Sequence, residues 1–289
     1  MSRQTAHTRI LWLGDEACGN PAISGGKAAS LSRLASRFPV PAGFCLSADL
    51  LEALTDAGVV IDTAAELLGE AYLELARRAG CDDPRVAVRS SAADEDGLGL
   101  SFAGQYETLL NIGAGRLVHA VEQCIASGRS DRVGAYRQQH GRADQPVRMA
   151  VLVQHLVPAD VAAVAFSANP VSGDREEVVI NASWGLGESI VGGTVTPDTW
   201  IIRKADGMVM STMIAEKQRM TVLTDHGTME VDVPRIMRAQ PALTEQQAAA
   251  IAELAIQLEE ESGHAVDVEC AFADNALSLL QCRPITTLA

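Results

Sequence analysis

The chain has 289 residues, 47% hydrophobic and 21% charged, enough to bury one large core or two lobes and unlike the composition of a disordered chain. A formal charge of −14, with no Lys/Arg cluster interleaved with aromatics, excludes nucleic acid as an expected partner, while an anionic nucleotide can still enter a locally basic cleft. No apolar run reaches the ~18 residues of a membrane span and the start lacks a signal-peptide core, so a cytoplasmic chain with no membrane partner is expected.

In chain order, Ile10 to Leu13 reads as a short strand, and Ser24-Gly25-Gly26-Lys27 leads into AASLSRLASRF. Ala28, Leu31, Leu34, Ala35 and Phe38 in that segment have helical spacing, which sets a glycine pair against a helix N-terminus. Pro39 and Pro41 close that helix. SADLLEALTDAG and TAAELLGEAYLELARRAG predict two more helices, ended by Gly58 and Gly80. RVAVRSS is β-like, AADEDGLGLSFAGQ reads as a Gly-, Ser- and acid-rich loop, and YETLLNI returns to strand. A helix over about 116–139 is followed by strands in VRMAVLVQHLV, DVAAVAFSAN, EEVVINASW and TWIIRKADGMVMSTMIAE, the last turning at Asp206-Gly207. The change of character places a lobe boundary near residue 150, giving lobes of 1–150 and 151–289. LTEQQAAAIAELAIQLEEESG predicts an amphipathic helix with Thr244 as N-cap and Gly263 as C-cap. Two strands around Asp274-Asn275 end the chain.

Several residues in this order suit phosphate chemistry. Lys27, after two glycines at a helix start, combines an ammonium with helix N–H groups and a positive dipole end. It is no Walker motif, because the first glycine and the hydroxyl after the lysine are absent, and a surface turn is the plain alternative. Arg89, at the end of a strand, suits a bidentate clasp on phosphate oxygens or an ion pair with Asp94, Glu95 or Asp96. The loop carrying Gly97, Gly99 and Gly104 offers backbone N–H groups that a closing loop would bring to a nucleotide. Strand alternation puts Asp267 and Glu269 on one face, so Glu269, Gln281 and Arg283 project together either as an ordinary sheet rim or as a site. A carboxylate and an amide oxygen there suit Mg²⁺, with the Arg neutralising a phosphoryl group. GLGESI resembles a dinucleotide fingerprint but has Ile190 at the third glycine position, and is rejected as one. The six histidines, His7, His119, His140, His155, His226 and His264, form no metal-ligand spacing, and the six scattered cysteines lack C-x-x-C pairs, so neither zinc nor disulfides are expected.

Taken together, GGKAASLSRL, VPAGFCLS, VAVRSSAADEDGLGLSFAGQYETLLNI, VLVQHLV, AFSANPVSG, VVINASWGLGESIVGGTVTPD and VECAFADNALSLLQCRPIT resemble the nucleotide-binding domain of the phosphoenolpyruvate synthase and pyruvate phosphate dikinase family, which includes rifampin phosphotransferase. The resemblance runs over nearly the whole chain in the family's order. It implies an α+β ATP-grasp fold with the nucleotide between two lobes, and ATP and Mg²⁺ as cofactors. Lys27 and Arg89 match the family's phosphate-binding residues, and Gly104 to Thr108 match the loop covering the phosphates. Gln154 through Leu156 match the adenine-binding hinge, Glu269 and Gln281 the metal ligands, and Arg283 the contact to the terminal phosphate. Lys27, Arg89 and Arg283 are thus the expected catalytic residues. Departures are Ala28 where the family usually has Gly, and an unusually Gly-rich loop before Ser101.

The function so implied is transfer of the β-phosphoryl of ATP to a histidine, giving AMP and inorganic phosphate. No histidine of this chain lies in the family's Gly-rich phosphohistidine motif, so that residue is expected on a separate domain or partner. A non-catalytic nucleotide sensor is the alternative from another class, and an ATP-grasp carboxylate ligase a further one.

Overall fold

The computed structural model describes residues 10–56, 59–60, 62–92, 108–128 and 148–286. It divides into two compact units, Met1–Leu156 and Val157–Ala289. Both join antiparallel sheet to helices, an α+β organisation.

In the first unit β1 (Ile10–Trp12), β2 (Gly43–Leu46), β5 (Val86–Ala92), β6 (Thr108–Ile112) and β7 (Met149–His155) form a sheet in the order β1-β2-β7-β5-β6. Every neighbouring pair is antiparallel. One face carries Phe44, Leu46, Val86, Val88, Ile112, Val151 and Val153, which pack with Leu68 and Leu75 of α3 (Asp62–Ala79) and Leu117 and Val121 of α4 (Leu117–Gly128). The other face receives α1 (Pro21–Leu34), lying against β5 and β7. Burial of both faces explains why β2, read as GFCL, is apolar throughout and wholly buried. A four-residue apolar run between two prolines and a helix has no period to reveal it, and this strand was not expected.

One expectation is corrected here. The helix anticipated through Gly58 ends sooner: α2 covers Ala48–Leu54, and Thr55-Asp56 form β3, paired with β4 at Val59-Val60. The β-branched Thr55, Val59 and Val60 favour that extended pairing; Gly58 lies outside the described residues. The helix anticipated over about 116–139 is present as α4, which follows a 3₁₀ turn at Ala114–Arg116; the part of that range beyond Gly128 lies outside the described residues. The compact units meet between Leu156 and Val157, and β7 lies in the middle of the first sheet.

In the second unit the sheet order is β11-β10-β9-β8-β14-β15, from β8 (Val161–Phe166), β9 (Glu177–Trp184), β10 (Asp198–Arg203), β11 (Val209–Met213), β14 (Val266–Ala273) and β15 (Ala276–Pro284). β10 and β11 join through Asp206-Gly207 as the turn residues predict, and β14 and β15 through Asp274 and Asn275, both at positive φ. A separate hairpin, β12 (Arg219–Thr224) with β13 (Gly227–Asp232), was not anticipated, although Met220 and Val222 alternate with polar residues before the turn. The GLGESI segment leads only into α5 (Glu188–Val191), too short to serve as the helix of a dinucleotide fold.

One helix, α6 (Glu245–Ser262), covers a face of this sheet, against β14, β9, β8 and β10. Ala248, Ile251, Ala252, Leu254, Ala255 and Leu258 are its buried residues. Its ends are those the sequence predicts. Thr244 Oγ1 accepts from Gln247 N at 3.2 Å while Gln247 Oε1 accepts from Thr244 N at 2.9 Å, and Gly263 closes the helix at φ 70°. Thr244→Ala is therefore expected to lower the stability of this unit by about 1 kcal/mol, seen as a melting temperature lower by about 2–4 °C. Among the described residues no helix is long and apolar enough to cross a membrane.

Candidate functional site

Three sequence-predicted residues of the first unit, Arg89, Thr108 and Gln154, lie on the α1 side of its sheet. Arg89 on β5 stands opposite Thr108 on β6 and Leu152 on β7, and Gln154 stands opposite Ala87 and Gly43. Directly opposed residues share a face. Ser91, two residues along β5, shares the face with Arg89 and fixes α1 to it: Ser91 Oγ accepts from Ala28 N at 3.1 Å. Beside it Gly25 adopts φ 76°, ψ 173°, so the chain breaks helical geometry inside α1 and starts its last turns afresh at the glycine pair. Lys27 consequently emerges, half-buried, at the head of the helical run that the Gly-Gly-Lys segment predicts.

Nothing local in the sequence marks Ser91. A serine in a strand carries no signal of which helix will land on it. Gln154 is 1% exposed and its Nε2 donates to Pro41 O at 3.3 Å, while the N–H groups of His155 and Leu156 donate to Ala42 O and Arg85 O at 2.8 Å each. The bend at the end of β7 is thus rigidly tied to its neighbours, and the Leu156 N–H is already engaged. Burial lowers the pKa of the half-buried His155 imidazole, which favours its neutral form. Gly104 lies outside the described residues, as do Asp94, Glu95 and Asp96. Thr108 is exposed at the start of β6.

In the second unit the register places Glu269 opposite Gln281 and Asp267 opposite Arg283, on the face away from α6. A bulge after Glu269 breaks the regular pairing at this point. Arg283 donates to Asp267 Oδ2 from Nε at 2.8 Å and from a terminal nitrogen at 2.7 Å. Asp267, 7% exposed, therefore holds the guanidinium beside the Glu269/Gln281 pair. The two-residue spacing of Asp267 and Glu269, and of Gln281 and Arg283, is visible in the sequence; that the two pairs face each other follows from the bulge.

Facing side chains of an antiparallel pair lie about 5 Å apart at Cβ, so the Glu269 carboxylate and Gln281 amide can direct two hard oxygens to one cation. Among the described residues no group of three or more His, Cys, Asp or Glu side chains could form a closed metal cage. Two oxygen ligands with the remainder left to water and phosphate is the donor set that fits Mg²⁺.

Residues 60–289 match the family described as pyruvate phosphate dikinase, AMP/ATP-binding domain. The chain belongs to that family. It is 35% identical to a probable phosphoenolpyruvate synthase of Methanocaldococcus jannaschii over 96% of this chain and 27% of that one. It is 37% identical to the prodigiosin synthesizing transferase PigC of Serratia marcescens over 98% of this chain and 34% of that one. It is 35% identical to a rifampicin phosphotransferase of Streptomyces sviceus, over 92% and 34%. The chain thus spans about a third of the length of these curated relatives. A D-alanine–D-alanine ligase of Bacillus anthracis superposes with a TM-score of 0.36 at 8% identity, over 96% of this chain and 60% of that chain, a likeness too slight to carry an argument.

Proposed function

We propose that the chain is the nucleotide-binding part of a phosphotransferase that passes the β-phosphoryl of Mg·ATP to a histidine on a separate domain or partner. The observation that carries this reading is the facing pair Glu269 and Gln281 with Arg283 held beside it by Asp267, in a chain of the AMP/ATP-binding family. Supporting it is the second gathering of Lys27, Arg89 and Thr108 around the α1 junction.

In this reading the nucleotide is held in the ATP-grasp manner that the sequence resemblance implies. Glu269 and Gln281 would hold Mg²⁺, which would supply positive charge to offset that of the phosphates. Arg283 neutralises negative charge on the terminal phosphoryl, and Lys27 and Arg89 bind non-bridging phosphate oxygens. Gln154 through Leu156 lie along the purine. The phosphorus–oxygen bond between the α- and β-phosphoryls breaks as the histidine nitrogen attacks the β-phosphorus, and AMP leaves. The γ-phosphoryl goes to water as inorganic phosphate, and the phosphohistidine is consumed by a later acceptor. With charge spread over the transferring oxygens, positioning and electrostatic stabilisation carry the reaction.

The test is calorimetric titration of Mg·ATP into the wild-type chain and the Lys27→Ala, Arg283→Ala double variant. The wild type is expected to bind, and the variant to lose affinity by about a hundredfold or more, from two charge-assisted contacts of about 1.5–3 kcal/mol each. Supplied with the histidine-bearing partner, the wild type is expected to yield AMP; ADP as the sole product would overturn the reading in favour of a ligase, and binding without turnover would favour a sensor.

A further inference from the structure

Strand pairing extends the Glu269/Gln281 row across the second sheet. Glu269 faces Val164 on β8, Val164 faces Asn181 on β9, and Asn181 faces Thr199 on β10. These side chains share the face opposite α6, where Val164, Asn181 and Thr199 are all half-buried. Two strand spacings of about 4.8 Å put Asn181 about 10 Å from Glu269 along the row. Only the apolar Val164 stands between, and it offers a phosphate neither a competing hydrogen bond nor a repelling charge.

Asparagine is a poor strand residue, and here it interrupts the otherwise apolar run VVIN. Its carbonyl oxygen is occupied: Thr199 Oγ1 donates to Asn181 Oδ1 at 3.0 Å. A bond in that sense fixes the amide and turns its Nδ2 donors toward the open face. A donor pair in line with a carboxylate–amide cation site is the arrangement that recognises an oxyanion at the far end of a metal-bound phosphate chain.

We propose that Asn181, oriented by Thr199, is a phosphate-binding residue of this site, donating from Nδ2 to a phosphoryl oxygen of the bound nucleotide. The inference rests on the Mg·ATP reading of the Glu269/Gln281 pair and adds a contact on a different strand. It also separates two roles along one row: Glu269 and Gln281 present oxygens to a cation, while Asn181 presents N–H groups to an anion. Thr199 is a positioning residue, acting through the Asn181 amide.

The experiment is titration of ATP at a series of Mg²⁺ concentrations into the wild type, Asn181→Asp, Asn181→Ser, Thr199→Val and, as a control, Glu269→Gln, with each variant's urea midpoint measured alongside. Asn181→Asp, nearly isosteric, is expected to weaken ATP binding about tenfold or more at every Mg²⁺ concentration, because a carboxylate replaces the donor. Asn181→Ser is expected to fall in between, and Thr199→Val to lose a few-fold with an unchanged Mg²⁺ requirement. Wild-type affinity in both Asn181→Asp and Asn181→Ser, with Glu269→Gln impaired, would overturn this inference and leave the cation pair standing. Tighter binding by Asn181→Asp at low Mg²⁺ would also overturn it, since the position would then face a cation. No effect from Glu269→Gln, or no binding by the wild type, would overturn the reading of the site and this inference with it.

Discussion

Gly25→Ala is expected to unfold the junction between α1 and β5 and to abolish nucleotide binding with it. A methyl group at this position would sit 1.9 Å from the Ser91 carbonyl oxygen, 2.3 Å from its carbon and 2.4 Å from its hydroxyl. The backbone there is also at φ 76°, which an L side chain adopts only at a cost. The obstruction is backbone of a central strand paired on both sides, so it cannot be relieved by rotating a side chain. The expected loss is about 3 kcal/mol or more, combining backbone strain with overpacking, read as a lower urea midpoint of the transition reported by Trp12. Lys27 follows this turn directly, so whatever folded population remains should bind Mg·ATP more weakly than the wild type. Gly80→Ala is the control. Gly80 has a similar φ of 69° with open space around the added atom, and the expected cost is about 1 kcal/mol. Equal effects at the two glycines would show that Ser91 moves aside and that the junction is not rigid.

Asp198→Ala is expected to be the most damaging single change in the second unit. Asp198 and Lys217 are an ion pair with neither side chain exposed, Lys217 Nζ donating to Asp198 Oδ1 at 2.5 Å. The carboxylate also accepts from Ala215 N at 2.9 Å and, through Oδ2, from Ala242 N at 2.7 Å. It ties the start of β10 to the segment after β11 and to the residues leading into α6. Removing it leaves a buried ammonium without its counter-charge, a buried N–H at Ala242 and a partly buried N–H at Ala215 without their acceptor, for a loss of about 3–5 kcal/mol. Lys217→Met should cost less, because Asp198 keeps both backbone donors and methionine fills most of the vacated space. Fluorescence of Trp184 and Trp200, both in this unit, against urea would rank the two variants. A larger loss for Lys217→Met than for Asp198→Ala would show that the pair, and not the carboxylate's backbone contacts, dominates.

The helices with strong caps and the strands with β-branched runs were legible because their signals are local. Thr244, Gln247 and Gly263 lie within or beside α6 itself, and the Asp206-Gly207 and Asp274-Asn275 turns need only their own φ angles. β2 was not legible, because a short strand buried on both faces has neither alternation nor helical period. The end of α2, and the place of β7 in the first sheet, likewise depended on which strands found partners.

The candidate site divides along the same line. Alternation puts Glu269 with Asp267 on one face of β14 and Gln281 with Arg283 on one face of β15, but it is the bulge after Glu269 that shifts the register set by the turn and brings the two pairs to the same face. Lys27 and Arg89 could be named from residue type and from the resemblance of the whole run of motifs. Ser91, Asp267 as the partner of Arg283, and Asn181 with Thr199 required the tertiary structure. Their roles arise from pairings between strands and helices far apart in the chain, and the helix or strand that will lie beside a residue is decided by the packing of the core and not by its neighbours in sequence. Residue types, local spacing and the run of motifs carry the family, the chemistry of the charged residues and the local elements; register and face come from packing, because hydrogen bonding across a sheet is a relation between segments that no single segment encodes.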